Sequence, residues 1–321
     1  MKRSIIKLVL LSLMLMMVSA CVPRTQNVVV TNYPTEFLMT RLAGNRVNIS
    51  RLDSGEIPQL ATIHNDYEAI IKNADVLFYI NELQPYWELY KDDITSAKVK
   101  MIDLSERSGL YAFNRYTDVV VNNQTHYIES SYYEGLANPD TYVMDPFLWM
   151  DPLSMTSMAR TMLDWLVSVY PDDAAIFQEN FDALEIDLVR LQAEMQASDD
   201  DGEVEIPVRI ATMTPSFGNW QKSYGIGIYP LVLSKYGVLP NKAELDIIRE
   251  RLIRDGVRYI ASEEGMNEEY TALYNQIKTE LNLTEIDLNN GFTLSAKDIE
   301  SNNDYITKMY QNLETLEAVA H

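Results

Sequence analysis

Soft metal ligands are scarce in this chain of 321 residues, which carries one cysteine, Cys21, and three histidines, His64, His126 and His321. A structural or scavenging transition-metal site needs several imidazole or thiolate ligands held together. The histidine spacings are too wide to make one locally. His321 is terminal, His64 opens a polar helix start where a solvated capping role suffices, and His126 sits in a tyrosine-rich stretch. Carboxylates are abundant, 47 in all, so a pair such as Glu263-Glu264 marks nothing by itself. No G-x-S-x-G elbow, H-E-x-x-H pair or glycine-rich phosphate loop occurs, and only 12 glycines are present. Without a nucleophile–base pair or such a loop, hydrolase and phosphoryl-transfer chemistry have no candidate residues. The chain reads as a binding protein and not as an enzyme.

Cys21 has its own context. Lys2, Arg3 and Lys7 precede an apolar run from Leu8 to Val18, interrupted by Ser12. That run is too short for a permanent span, which takes about 20 apolar residues, and has the form of a secretory leader. Val18-Ser19-Ala20-Cys21 follows and resembles a bacterial lipobox, in which the cysteine is acylated and the chain is cut before it. As the sole cysteine it cannot form an internal disulfide. The expectation is a signal peptide over residues 1–20, lipidation at Cys21, a short tether over 21–26, and a body anchored outside the cytoplasmic membrane by lipid alone.

Composition agrees with that placement. A hydrophobic content of 47% supports a real core, while the net charge is −21, and removal of the leader deepens it by its three cations. Such a surface repels nucleic acid and anionic headgroups. It excludes a DNA-, RNA- or membrane-surface binder.

The elements that position any site alternate between strand and helix. Asn27 to Thr31, Val47 to Leu52, Asp75 to Ile80 and Val99 to Asp103 read as strands, with helices over Glu36 to Ala43 and Asn65 to Asn73. Asn114 to Asp140 lacks period and reads as a long loop or an irregular hairpin. One helix is expected from Pro152 to Tyr170. A second runs from Pro171 to Gln196, with Phe177, Phe181, Leu184, Leu188, Leu191 and Met195 on one stripe. It is long enough to run along two lobes, and its heptads are too few to favour a coiled-coil dimer. The acidic segment Ser198 to Pro207 reads as a linker. Beyond it come strands at Val208 to Thr212, Arg258 to Ala261 and Leu283 to Leu288. Helices are expected over Ser216 to Tyr224, from Asn241 (capped with Glu244) to Gly256, over Asn267 to Leu281 and over Tyr305 to Ala318. The fold class is α/β, two lobes of mostly parallel sheet flanked by helices. The lobes cover 27–165 and 198–321, joined by a bridging helix within 166–197.

The residues also resemble a known family. Val28-Val29-Val30-Thr31-Asn32-Tyr33-Pro34, Asn73 to Asn81, Pro85-Tyr86-Trp87-Glu88, Asp145-Pro146 with Trp149-Met150-Asp151-Pro152, Phe217-Gly218 with Tyr224-Gly225, and Pro240 to Ile260 follow the order seen in the zinc- and manganese-type solute-binding lipoproteins of bacterial ABC importers. The resemblance implies two α/β lobes bridged by a rigid helix, a divalent cation (zinc or manganese) in the cleft between them, and a monomer that serves a membrane permease and its ATPase. It further implies four ligand positions, usually three histidines, or two with a glutamate, plus an aspartate. Here they fall on Gln59, Phe147, Thr214 and Asp287, so only Asp287 keeps a metal-binding group. Two replacements present themselves: an oxygen-rich site of Asp287 with Glu263, Glu264, Asp53, Glu56 or Asp151, which hard cations accept, or a small-molecule cleft lined by Gln59, Phe147 and Thr214 with Trp149, Trp220 and the tyrosines of 111–142.

Overall fold

Three valines in a row begin the first sheet, and their alternation fixes its two faces. Val28 and Val30 enter the main core, whereas Val29 joins a separate cluster with Leu52, Leu77, Trp87 and Ile94. A strand covered by helices on both faces shows this continuous apolar pattern. The computed structural model describes residues 24–110, 114–121, 124–131, 140–197 and 208–320. The expected leader with Cys21, the 198–207 linker and His321 lie outside them.

In the N-terminal lobe β1 (Gln26–Val30) runs parallel to β2 (Val47–Arg51) and β5 (Val76–Tyr79), and β5 to β6 (Lys100–Asp103). The order β2-β1-β5-β6 places the topological switch point between β1 and β5. Helices α1 (Tyr33–Ala43), α2 (Tyr67–Lys72) and α3 (Trp87–Ser96) cover it. A two-residue pairing of β3 (Asp53–Ser54) with β4 (Thr62–Ile63) forms a small hairpin beyond β2. The C-terminal lobe repeats the plan. β9 (Arg209–Thr212), β10 (Gly227–Pro230), β11 (Tyr259–Ser262) and β12 (Thr284–Asp287) are parallel in the order β10-β9-β11-β12, with the switch between β9 and β11. Flanking helices are α6 (Gly218–Tyr224), α7 (Lys242–Arg254), α8 (Glu268–Glu280), α9 (Ala296–Glu300) and α10 (Tyr305–Ala320).

Two longer helices lie between these sheets. In α4 (Pro152–Val169) the Asp151 carboxylate accepts from Ser154 N at 3.0 Å, and Pro152 fills the first position, a strong start signal. The expected bridging helix is α5 (Ala174–Ala197), entered through a single 3-10 turn at Pro171–Asp173. Its 24 residues span about 36 Å, and all six residues of its predicted stripe are buried. Its N-terminal and middle turns are held to the first lobe: Asn180 Nδ2 donates to Leu42 O at 2.8 Å and Arg41 pairs with Asp187 at 2.7 Å. The C-terminal half meets the second lobe, where Tyr224 donates to Gln192 at 2.8 Å. The stripe is therefore consumed within the chain.

Elements differ from the sequence reading where the pattern is weak. Segment 114–140 contains an antiparallel hairpin of β7 (Asn114–Val121) and β8 (Gln124–Ser131), the second of the two alternatives; residues 132–139 lie outside the described residues. His126 belongs to β8, opposite Val119. Helix α3 escaped prediction because its apolar residues do not share a face: Trp87 and Ile94 are buried while Leu89 is 81% exposed. β10 escaped because glycine and proline bound it, and an edge strand tolerates proline. Among the described residues, no helix is long and apolar enough to cross a membrane.

Candidate ligand-binding site

Parallel sheets place ligands beyond the carboxyl ends of their strands, at the switch point. In this chain the carboxyl ends of the two sheets face each other. Asn290, after β12, donates to Glu56 O at 3.5 Å in the β3–β4 hairpin. Gly237, after β10, lies against Leu60 and Gln59 O of the same hairpin. These contacts join the two sheet ends at one junction.

On the C-terminal side, Thr214 follows β9 and Glu263 follows β11. The Glu263 carboxylate accepts from Met213 N at 2.8 Å, Thr214 N at 2.9 Å and the Thr214 hydroxyl at 2.7 Å. Burial pushes this carboxyl up to about 7, although the hydrogen bonds from Thr214 and Met213 oppose the shift. Thr214 is wholly buried and its hydroxyl is committed to Glu263 and Ser216.

The middle of the junction is aromatic. Phe147 stacks edge-on against Tyr142 at 5.3 Å and Trp149 at 5.6 Å, and Trp149 leans on Phe292 at 6.0 Å. Phe147 N donates to Asp145 at 2.9 Å, Asn219 Nδ2 donates to Phe147 O at 3.2 Å, and Trp149 Nε1 donates to Asn290 O at 2.7 Å. At Gly291, φ is +67° and a Cβ would stand 3.2 Å from the Trp149 ring, so only glycine suits both the backbone and the indole. Burial raises the Asp145 carboxyl to about 7, with Asp151 adding to the shift.

On the N-terminal side, Gln59 lies in the 3-10 turn Pro58–Leu60 at the tip of the hairpin. It is 2% exposed, and neither amide atom has a hydrogen-bond partner. Beside the hairpin a cavity of about 520 Å³ opens between Arg51, Ser54, Glu56, His64, Gly265 and Thr293. His64 therefore lines the mouth of the junction.

Of the four positions carried over from the resemblance, Gln59, Phe147 and Thr214 lie in buried segments around this junction. Asp287 is exposed at the end of β12, opposite Ser262 and near the Tyr274 phenol, which its charge helps to push up after desolvation and Glu285. No hydrogen bond or ion pair joins it to the other three among the described residues. Phe292 and Asn290, a few residues on, meet Trp149 instead, and sequence patterning had no signal for either. The oxygen-rich alternative is not assembled. Glu263 is tied to Thr214, Asp53 accepts from Tyr86, Asp151 caps α4, and Glu264 bonds Asn289 at 2.8 Å. Among the described residues no group of three or more His, Cys, Asp and Glu side chains could hold a metal ion.

The family described as ZnuA, zinc-uptake complex component A, periplasmic, matches residues 28–319. The zinc-binding lipoprotein AdcA of Streptococcus pneumoniae is 24% identical over 318 residues, covering 97% of this chain and 60% of the relative. The zinc-binding protein AdcA of Streptococcus pyogenes is 23% identical over 303 residues, covering 90% of this chain and 55% of the relative. The chain thus spans a little over half the length of these relatives. A crystal structure of ZnuA superposes with a TM-score of 0.69 at 16% identity, covering 92% of this chain and all of that one. The periplasmic zinc-binding protein TroA of Treponema pallidum gives 0.70 at 15% identity over 92% of this chain and 99% of that one. At these identities the superpositions establish the two-lobe α/β fold. The chain belongs to the family described as zinc-uptake complex component A, periplasmic.

Proposed function

We propose that this chain is the solute-capturing component of an ABC importer, tethered outside the cytoplasmic membrane by lipid on Cys21, which hands its cargo as a monomer to a permease driven by an ATPase. The lobes are taken as 27–165 and 198–321, with the bridge within 166–197. The observation that carries this reading is the junction itself: the two switch points lie on sheet ends that touch, with an unpartnered buried amide, Gln59, on one side. The acidic body suits a tether that does not rely on headgroup contacts.

The zinc in the names of the relatives does not fit the residues present. Phenylalanine offers no ligand atom, the Thr214 hydroxyl is committed, and Asp287 stands apart. A neutral amide alone does not hold a borderline-soft dication. The cargo is accordingly a small solute other than a bare transition-metal ion.

Native mass spectrometry of freshly purified protein tests this. A removable organic adduct is expected, with zinc and manganese no higher than in a chelated control. One zinc or manganese per chain refutes the assignment of cargo. Absence of any adduct, with no solute raising the melting temperature in a broad screen, refutes the binding role. For the tether, Cys21→Ala should move the chain from the membrane fraction to the soluble one, and continued membrane association of that variant removes the anchor from the account.

A further inference from the structure

Ile57 is built into the β3–β4 hairpin of the N-terminal lobe, yet its side chain belongs to a core of the other lobe. It is 1% exposed and packs in the cluster that holds Met213, Tyr229, Leu231, Ile260 and Tyr270, and Leu60 packs against the same cluster. Both stand on the tip of the hairpin, whose ladder is two residue pairs long, Asp53 with Ile63 and Ser54 with Thr62. Two glycines of the C-terminal lobe make room for this tip. At Gly265 (φ +80°) a Cβ would fall on Glu56 Cβ, inside van der Waals contact, and at Gly237 (φ +70°) it would stand 2.8 Å from Leu60 Cδ2. Carbon atoms pack best about 3.5–4.0 Å apart, so any side chain at either place would push the tip away.

Elsewhere the lobes are fused by apolar packing. One continuous core takes Val28 and Phe78 from the first sheet and Ile210, Ala261 and Ile286 from the second. The rings of Phe37 and Tyr305 lie 5.3 Å apart, Trp220 Nε1 donates to Met150 O at 3.0 Å, and the Tyr305 hydroxyl donates to Trp149 O at 2.5 Å. Domains move freely against each other unless their interface is large and hydrophobic, and this one is continuous with the core of both. Swinging the lobes apart would break that core. Lifting the hairpin tip uncovers Ile57 and Leu60 and parts the 3.5 Å hydrogen bond from Asn290 to Glu56 O. Segments with few buried contacts open first, and a two-stranded hairpin has little stability of its own. The cavity of about 520 Å³ lies where such lifting would widen it, with Glu56, Ile57 and Leu60 on its hairpin side and Gly265 and Thr293 opposite.

We propose that the β3–β4 hairpin is a clasp and the gate of this cavity. Solute enters and leaves when Ile57 and Leu60 let go of the C-terminal lobe, while the lobes keep their separation. This inference rests on reading the chain as a solute-binding protein and assigns its moving part.

Hydrogen–deuterium exchange of the full chain, read by mass spectrometry with residue-level fragmentation and with no solute added, tests it. The amides of Leu60 and Ala61 donate to the Ile57 and Pro58 carbonyls at 3.0 and 3.2 Å, so they exchange only when the tip loosens. They are expected to exchange at least about tenfold faster than the amides of β9 and β11, the mark of a local opening. Gly265→Asn should speed them about tenfold further while β9 and β11 stay unchanged, because asparagine tolerates a left-handed backbone and its Cβ displaces Glu56. Ile57→Ala loosens the clasp from the other side and decides the matter if Gly265→Asn does not fold. Spin labels at exposed helix positions of the two lobes, on Asp92→Cys and Glu269→Cys in the Cys21→Ala chain, should report one distance with and without Gly265→Asn. Exchange at Leu60 and Ala61 no faster than in β9, or indifferent to both variants, overturns the proposal. A longer spin-label distance accompanying faster exchange overturns it in favour of lobe rotation. The measurement uses no solute, so it can fail while the transport reading stands, and the native mass spectrum can refute that reading with the exchange pattern intact.

Discussion

Phe147→Ala should destabilise the protein by about 3–5 kcal/mol in chemical denaturation, the range for removing a fully buried aromatic side chain. The ring is wholly buried between Tyr142 and Trp149, and its main chain is held from both sides by Asp145 and Asn219. Such clamping limits collapse around the void, which puts the cost toward the upper part of the range. Phe147→Leu should cost markedly less, because it retains much of the volume. If Phe147→Ala cost under about 1 kcal/mol, the ring would be facing open space and not filling a column between the lobes. The position thus separates two uses of one residue, packing and ligand cover, that its identity alone leaves open.

Glu263→Ala should have a comparable effect for a different reason. It strands three donors, Met213 N, Thr214 N and the Thr214 hydroxyl, in a buried segment, and each unsatisfied buried group costs about 1–3 kcal/mol. The native acid also carries a pH signature. Desolvation raises the carboxyls of Glu263 and Asp145 to about 7 and pushes that of Asp53 well up. A carboxyl raised on folding binds its proton more tightly in the native state. Its contribution is full below the ordinary carboxylate range and is lost as pH rises through the folded value. Denaturation midpoints should therefore fall between about pH 5 and pH 8. Glu263→Gln keeps an acceptor oxygen and should flatten part of that slope. A native midpoint that is constant or rises over this interval, or a slope unaltered by Glu263→Gln, would show that these acids are not buried as described.

The amino-acid sequence by itself determined the architecture. Hydrophobic period is a local property: the alternation at Val28 to Val30, the stripe on α5 and the Asn241–Glu244 cap are each written within a few turns or residues of one another, and each was legible. The chemistry of Phe147 in Asp145-Pro146-Phe147 was legible too, because phenylalanine offers no metal-ligand atom in any fold. Where the pattern broke, as at Leu89 in α3 or at the glycine and proline of β10, the elements had to be seen. The tertiary structure alone decided which polar groups are paired. Thr214 and Glu263 lie 49 residues apart in sequence and satisfy each other because β9 and β11 are neighbours. Thr31, Asp53 and Gln84 converge in the same way at the other sheet, but with atoms left over. Hydrogen-bond satisfaction depends on which strand ends meet across a switch point, and no local sequence signal encodes that.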